Sequence, residues 1–195
     1  MPQKSEKNLH DGFLDEIRDT YDCERQLTRA LPKMAKAATG SKLRNALNNH
    51  LKETQAQVER LEHVFDLLEE RPRGKHCKGI AGIIEEGSDL IEEGFDEPTM
   101  DAALIGAAQR AEHYEIAAYG TLVAWAVQLG HMEVADLLRE TLEEEKGADE
   151  QLTIIARDQV NEEAAARADE EANEEQIEEP VSKAAPKAKK ARARR

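Results

Sequence analysis

Several carboxylates in this chain fall where helical spacing calls for apolar side chains. Glu24 sits between Tyr21 and Leu27 on one stripe. Glu53 and Gln57 share a face, with His50 one turn earlier. Glu112 and Glu115 lie between Ala108 and Tyr119, and Glu145 and Asp149 between Leu142 and Leu152. Burying one ionised carboxylate without a partner is costly. Several converging carboxylates repel one another unless a cation sits between them. Oxygen-rich ligation with little nitrogen and no thiolate suits hard first-row cations such as iron or manganese. By analogy with other carboxylate cages, two bridged metals would bind oxygen or peroxide and cycle by one electron each.

Height along a helical bundle is an independent check. Glu24 and Glu53 are centred on Ala38 and Thr39, and Glu115 and Glu145 on Gly130. Residues equidistant from the turn of an antiparallel hairpin lie level. Each of these is about 15 residues from its turn, roughly 22 Å along the axis at about 1.5 Å per residue. Glu112 is about one turn off level, within reach of a long side chain. A run such as Glu143-Glu144-Glu145 is ordinarily a solvated helix face; the matching heights single out the set as a whole. His50 reads first as a hydrogen-bonded flanking histidine. Tyr21 and Tyr119, each one turn from a candidate carboxylate, read first as core. So does Trp125.

These residues must be positioned by long helices. Leu9, Phe13, Ile17, Tyr21, Leu27 and Leu31 recur at three-to-four residue spacing, which predicts a helix over about residues 8–38. Pro32 should kink or strain its last turns. Residues 39–41, Thr-Gly-Ser, stop that helix and start the next, over about 42–70. Pro and Gly punctuate a loop at 71–79, and a shorter helix follows at 80–93. The third long helix spans about 98–129, with Pro98 in its first turn. Gly130 and His131 break the chain before a fourth, over about 132–161. The expectation is an all-α, ferritin-like four-helix bundle: two antiparallel hairpins joined by a crossover that carries a short extra helix.

Composition agrees. Of 195 residues, 35% are charged and only 4% aromatic, with 11 Gly and 6 Pro, a helix-forming balance. The net charge of −14 argues against the bundle gripping nucleic acid. No apolar run reads as a signal peptide or a membrane span, so the expected setting is the cytoplasm, with no membrane partner. Cys23 and Cys77 share no metal or redox spacing and read as two reduced thiols. Three regions are expected: a bundle over 1–161, an acidic helix extension or disordered stretch over 162–179, and a basic disordered tail over 180–195.

The segments DTYDCERQLTRALPKMAKAA (19–38), HLKETQAQVERLEHVF (50–65), AAQRAEHYEIAAYGTL (107–122) and LLRETLEEEKGADEQL (137–152) resemble the bacterial YciE/YciF-like family. That family is ferritin-like and stress-associated. The resemblance implies a bundle similar to rubrerythrin and manganese catalase, usually a homodimer. It implies metal ligands at Glu24, Glu53, Glu112, Glu115, Glu145 and Asp149, with Gln57 and His50 as weaker candidates. Two iron ions are the implied cofactor, manganese the alternative. One departure is plain. Di-iron proteins of this fold carry Glu-x-x-His on two helices. Here Glu53 is followed at that offset by Ala56, then Gln57, and Glu145 by Ala148, then Asp149. That leaves an oxidase, peroxidase or catalase activity open.

Three functions follow as expectations. The first is a di-iron oxidoreductase or iron-handling stress protein. The second is a DNA-associated stress protein, with Lys183, Lys187, Lys189, Lys190, Arg192, Arg194 and Arg195 neutralising phosphates without reading sequence. The third is a metal-free structural bundle.

Overall fold

The computed structural model describes residues 6–178, with side chains through residue 169. Its regular elements are all helices: α1 (Leu9–Ala37), α2 (Ser41–Leu67), α3 (Lys78–Glu92), α4 (Glu97–Leu129), α5 (Met132–Ile155) and α6 (Asn161–Glu178). A five-residue π turn, Ala156–Val160, links α5 to α6. The basic residues from Lys183 to Arg195 lie outside the described residues, as does the opening of the chain before residue 6. No described helix is long and apolar enough to cross a membrane.

Local chemistry explains the boundaries. Asn8 caps α1 by accepting from the Asp11 amide, while the Asp11 carboxylate accepts from the Asn8 amide. This reciprocal pair satisfies two of the amides that a helix start leaves open. Pro32 lies inside α1, which continues past it to Ala37. Asp96 caps α4 through the Thr99 amide, with Pro98 in the first turn. Gly130 ends α4 in the left-handed region at φ 83°, where a Cβ would be strained.

The helices α1 and α2 form one antiparallel hairpin, α4 and α5 the other, and α3 lies in the crossover against α1 and α4. Short turns at Ala38–Gly40 and Gly130–His131 enforce the antiparallel pairs. This is the ferritin-like arrangement of a four-helix bundle.

The core is split. One apolar cluster includes Leu27, Leu31, Leu43, Leu47, Leu104 and Ile155. The other includes Phe13, Ile17, Leu61, Phe65, Leu122 and Leu138. Between them lie Glu24, His50, Thr54, Gln57, Glu112, Glu115, Thr141 and Glu145, all buried. A polar layer therefore interrupts the core where apolar packing would be cheapest.

A separate buried carboxylate locks the first turn. Asp101 on α4 accepts from the Thr39 amide at 2.8 Å and the Gly40 amide at 2.7 Å. It lies so close to Gly40 that a Cβ there would meet its Oδ2 at 2.7 Å. Replacing Asp101 with alanine strands two donors at the α1–α2 turn. Urea unfolding of Asp101→Ala should show a loss of about 3 kcal/mol. A loss within experimental error would mean the turn holds itself.

Candidate metal centre

Each inward helical stripe delivers between one and three polar groups to the central layer. On α1, Glu24 follows Ile17 and Tyr21 inward and is fully buried. On α2 the buried stripe runs Leu43, Leu47, His50, Thr54, Gln57, Leu61. On α4, Glu112 and Glu115 share a face with Ala108 and Tyr119. On α5, Thr141 and Glu145 continue the line of Leu138.

His50, Glu112, Glu115 and Glu145 each bring one ligand atom to a common place, all within 4.8 Å of one another. The imidazole Nε2 lies 3.3 Å from Glu112 Oε1 and 3.8 Å from Glu145 Oε2. Glu24 completes the layer beside Glu115 and accepts from the Tyr119 hydroxyl at 2.5 Å.

The electrostatics reflect crowding. Burial raises Glu24 to about 8, and the charge of Glu145 adds to the shift. Burial pushes Glu115 well above the usual carboxylate range, with Glu24, Glu145 and Glu112 pushing it further. Burial raises Glu112 and Glu145 too, opposed in each by His50. Burial works to lower the His50 pKa, but Glu112, Glu53 and Glu145 outweigh it and raise it to about 9. Without another cation, the layer must hold protons and an imidazolium to stay neutral enough to bury.

Outside the layer, one amide ties it to an arginine. Gln57 Nε2 donates to Glu145 Oε1 at 2.5 Å and to Glu144 Oε2 at 3.0 Å. Arg60 grips both oxygens of Glu144 at 2.8 Å and donates to Thr141 Oγ1 at 2.6 Å. Burial works to raise the Glu144 pKa, but the donors Arg60 and Gln57 hold it below its usual range. Glu145 is thus oriented by a chain of hydrogen bonds that leaves its other oxygen facing the layer.

Two of the expected ligands lie outside this cluster. Glu53 is half exposed, with its Oε2 3.5 Å from His50 Nδ1. It stands at the edge of the stripe that runs through His50 and Thr54, at the rim of the cluster. Asp149 does not join the cluster either. Its carboxylate accepts from Gln109 at 3.0 Å and lies 3.4 Å from His113 Nε2. One turn beyond Glu145 on α5 and a methylene shorter than Glu, it is held against Gln109 and His113 of α4. Gln57 contributes an N–H to Glu145 and Glu144, while its own oxygen has no partner. His50, read from sequence as a flanking residue, is central. Tyr119 is tied to Glu24, whereas Tyr21 donates to Glu62 away from the layer. Thr54, Thr141, Arg60 and Glu144 were not singled out from sequence. Thr54, Thr141 and Arg60 lie three or four residues from His50, Glu145 and Gln57, a signal visible only once the stripe is placed, whereas Glu144 reads in the sequence as part of a solvated run.

The chemistry of the donor set fits a hard cation. Glu24 Oε2, Glu112 Oε2, both oxygens of Glu115 and Glu145 Oε2 are buried without a hydrogen-bond partner. Buried carboxylate oxygens are otherwise paired. Four glutamates and one imidazole supply oxygen-rich ligation of the kind iron and manganese accept.

The fold and this layer define a ferritin-like helical bundle with a buried carboxylate–imidazole cluster. The chain belongs to the family described as Domain of unknown function (DUF892), whose model matches residues 8–165. It is 46% identical over 159 residues to Protein YciF of Escherichia coli K12, covering 81% of this chain and 96% of that protein. The crystal structure of the E. coli stress protein YciF superposes with a TM-score of 0.77 at 46% identity, over 80% of this chain and 99% of that one. YcfI from Rhodopseudomonas palustris, for which a structural role has been suggested, matches with a TM-score of 0.75 at 43% identity, over 78% of this chain and 98% of that one. A protein from Xanthomonas campestris at 22% identity shares the fold, with a TM-score of 0.59 over 87% of this chain and 99% of that one.

The raised pKa values fix a pH dependence. Glu24 in the unfolded chain titrates near 4.5 and in the fold at about 8, so its contribution is full below the first value and lost as pH rises through the second. His50 behaves alike between 6.5 and about 9. The melting temperature of chelator-treated protein should therefore fall as pH rises from 6 to 9. A divalent cation that replaces the bound protons should flatten that slope. A metal-free profile that is flat or rising over this range would show the layer carries no such protons.

Proposed function

We propose that this chain holds a carboxylate-bridged pair of metal ions, iron fitting best and manganese next. We propose further that it acts in the cytoplasm as a homodimer in the bacterial stress response, handling iron or reactive oxygen species. The observation that carries the proposal is the set of unpartnered carboxylate oxygens meeting His50 between two apolar clusters.

Glu24, Glu112, Glu115, Glu145 and His50 would hold the ions. Bound iron or manganese would supply one-electron redox chemistry at each ion, which suits an oxidase- or peroxidase-type oxidoreductase. The chain's own groups do the rest. Gln57 and Arg60 orient Glu145, Tyr119 orients Glu24, and the flanking leucines and phenylalanines keep bulk water out. Glu53 sits beside His50 at the exposed edge, where a small recess runs along Leu47, His50 and Glu112. The stress role of the E. coli relative supports the biological setting.

The structural role suggested for the R. palustris relative favours a second reading, a metal-free bundle. One experiment separates the two. Anaerobic titration with ferrous iron, followed by desalting and metal analysis, should retain about two iron ions per chain. Glu115→Ala should lose most of that iron with its helicity unchanged. Gln57→Leu should weaken binding by about 10- to 100-fold. Desalted wild-type protein with neither iron nor manganese bound would support the structural reading instead.

A further inference from the structure

Three residues beyond Glu145, where di-iron bundles place a ligand histidine, this chain has Ala148. Ala148 is half-buried and lines a recess between α2 and α5. Asn49, Glu53 and Gln151 are exposed along the same recess, while His50 and Glu112, both members of the cage, are its buried polar lining. Its volume of about 20 Å³ leaves room for about one water molecule. The small side chain at residue 148 thus leaves a narrow opening on a site that the two apolar clusters otherwise seal.

The polar groups of the recess form a ladder from solvent to cage. Glu53 Oε2, at the rim, lies 3.5 Å from His50 Nδ1. The opposite imidazole nitrogen, Nε2, lies 3.3 Å from Glu112 Oε1 and 3.8 Å from Glu145 Oε2. Nδ1 is buried and has no hydrogen-bond partner. A histidine kept only for packing would have that nitrogen paired. Here one ring faces a carboxylate on the solvent side and two carboxylates on the cage side.

We propose that this recess is the port through which metal ions reach the cage, with Glu53 as the capture ligand and His50 as the ligand that hands the ion inward. The proposal rests on the metal reading above and gives Glu53 a transit role in place of a resident one. A cation with its full hydration shell is larger than the recess, so it exchanges waters for protein ligands as it enters. The Glu53 carboxylate draws it to the mouth. His50 Nδ1 then replaces one of its waters, and any proton on that nitrogen passes to solvent. A turn of the imidazole brings the ion to Glu112 Oε2 and Glu145 Oε2, which no donor occupies. No electron moves in this passage. Ala148 keeps the space open, and a longer side chain there fills it.

A port lowers one barrier that entry and exit share, so a change in it alters both rates by the same factor and leaves the equilibrium alone. Losing a resident ligand does the opposite, weakening binding and speeding release. The test uses the full chain, freed of metal by chelator, with cobalt(II) as the probe. Stopped-flow absorbance follows capture, excess chelator drives release, and metal analysis after desalting gives the cobalt retained. Glu53→Gln should slow capture about tenfold and release by the same factor, with the cobalt retained unchanged. Glu53→Asp should recover most of the rate. Ala148→Leu should slow both rates and Ala148→Gly should not, with helicity unchanged in each. Faster release or lost cobalt in Glu53→Gln would make Glu53 a resident ligand and overturn the proposal. Wild-type rates in both Glu53→Gln and Ala148→Leu, with full cobalt retained, would overturn the port alone. Wild-type protein that captures no cobalt would overturn the metal reading and the port together.

Discussion

Mutual repulsion among buried carboxylates is the constraint on which this molecule turns. Glu24, Glu112, Glu115 and Glu145 occupy one layer with 0–2% exposure, sealed above and below by apolar clusters. Such a layer exists only if positive charge enters it, as protons, as the His50 imidazolium or as metal ions. A bundle selected for stability alone would fill that layer with leucine. The chain instead carries an energetic penalty at its centre and offsets it with two dense cores and an Asp101 clamp on the first turn. The proposed metal ions would offset that penalty.

Around the layer, hydrogen bonds limit where the glutamates can point. Tyr119 holds Glu24 from α4, and the Arg60–Glu144–Gln57 chain holds Glu145 from α2. The helices that bear the glutamates are thus cross-braced by side chains from their neighbours, so the oxygens left over are aimed into the layer before anything binds. Preorganisation of this kind lowers the cost of capturing an ion.

Most of the architecture was legible because it is written in local periodicity. Three-to-four residue spacing, Gly130, Pro98 and the Thr-Gly-Ser stop placed the first four helices within a few residues of their observed ends, whereas the last long helix, expected over 132–161, gives way at Ile155 to a π turn and α6. Height was legible too, since counting residues from a turn needs only the rise per residue. Azimuth was not. Glu53 is nearly level with Glu24 but stands about one-sixth of a turn from His50 at about 100° per residue, enough to carry it to the rim. Asp149 is shorter by a methylene and is engaged by Gln109 on α4, a contact that spacing alone does not show. His50 gained its central place only when α4 and α5 were set around it.

Anomalous diffraction from crystals of anaerobically prepared, iron-loaded protein tests the central claim most directly. Data on either side of the iron edge should reveal two peaks among Glu24, His50, Glu112, Glu115 and Glu145. An anomalous map with no peak in this layer, from protein whose four glutamates still face one another, would contradict the account.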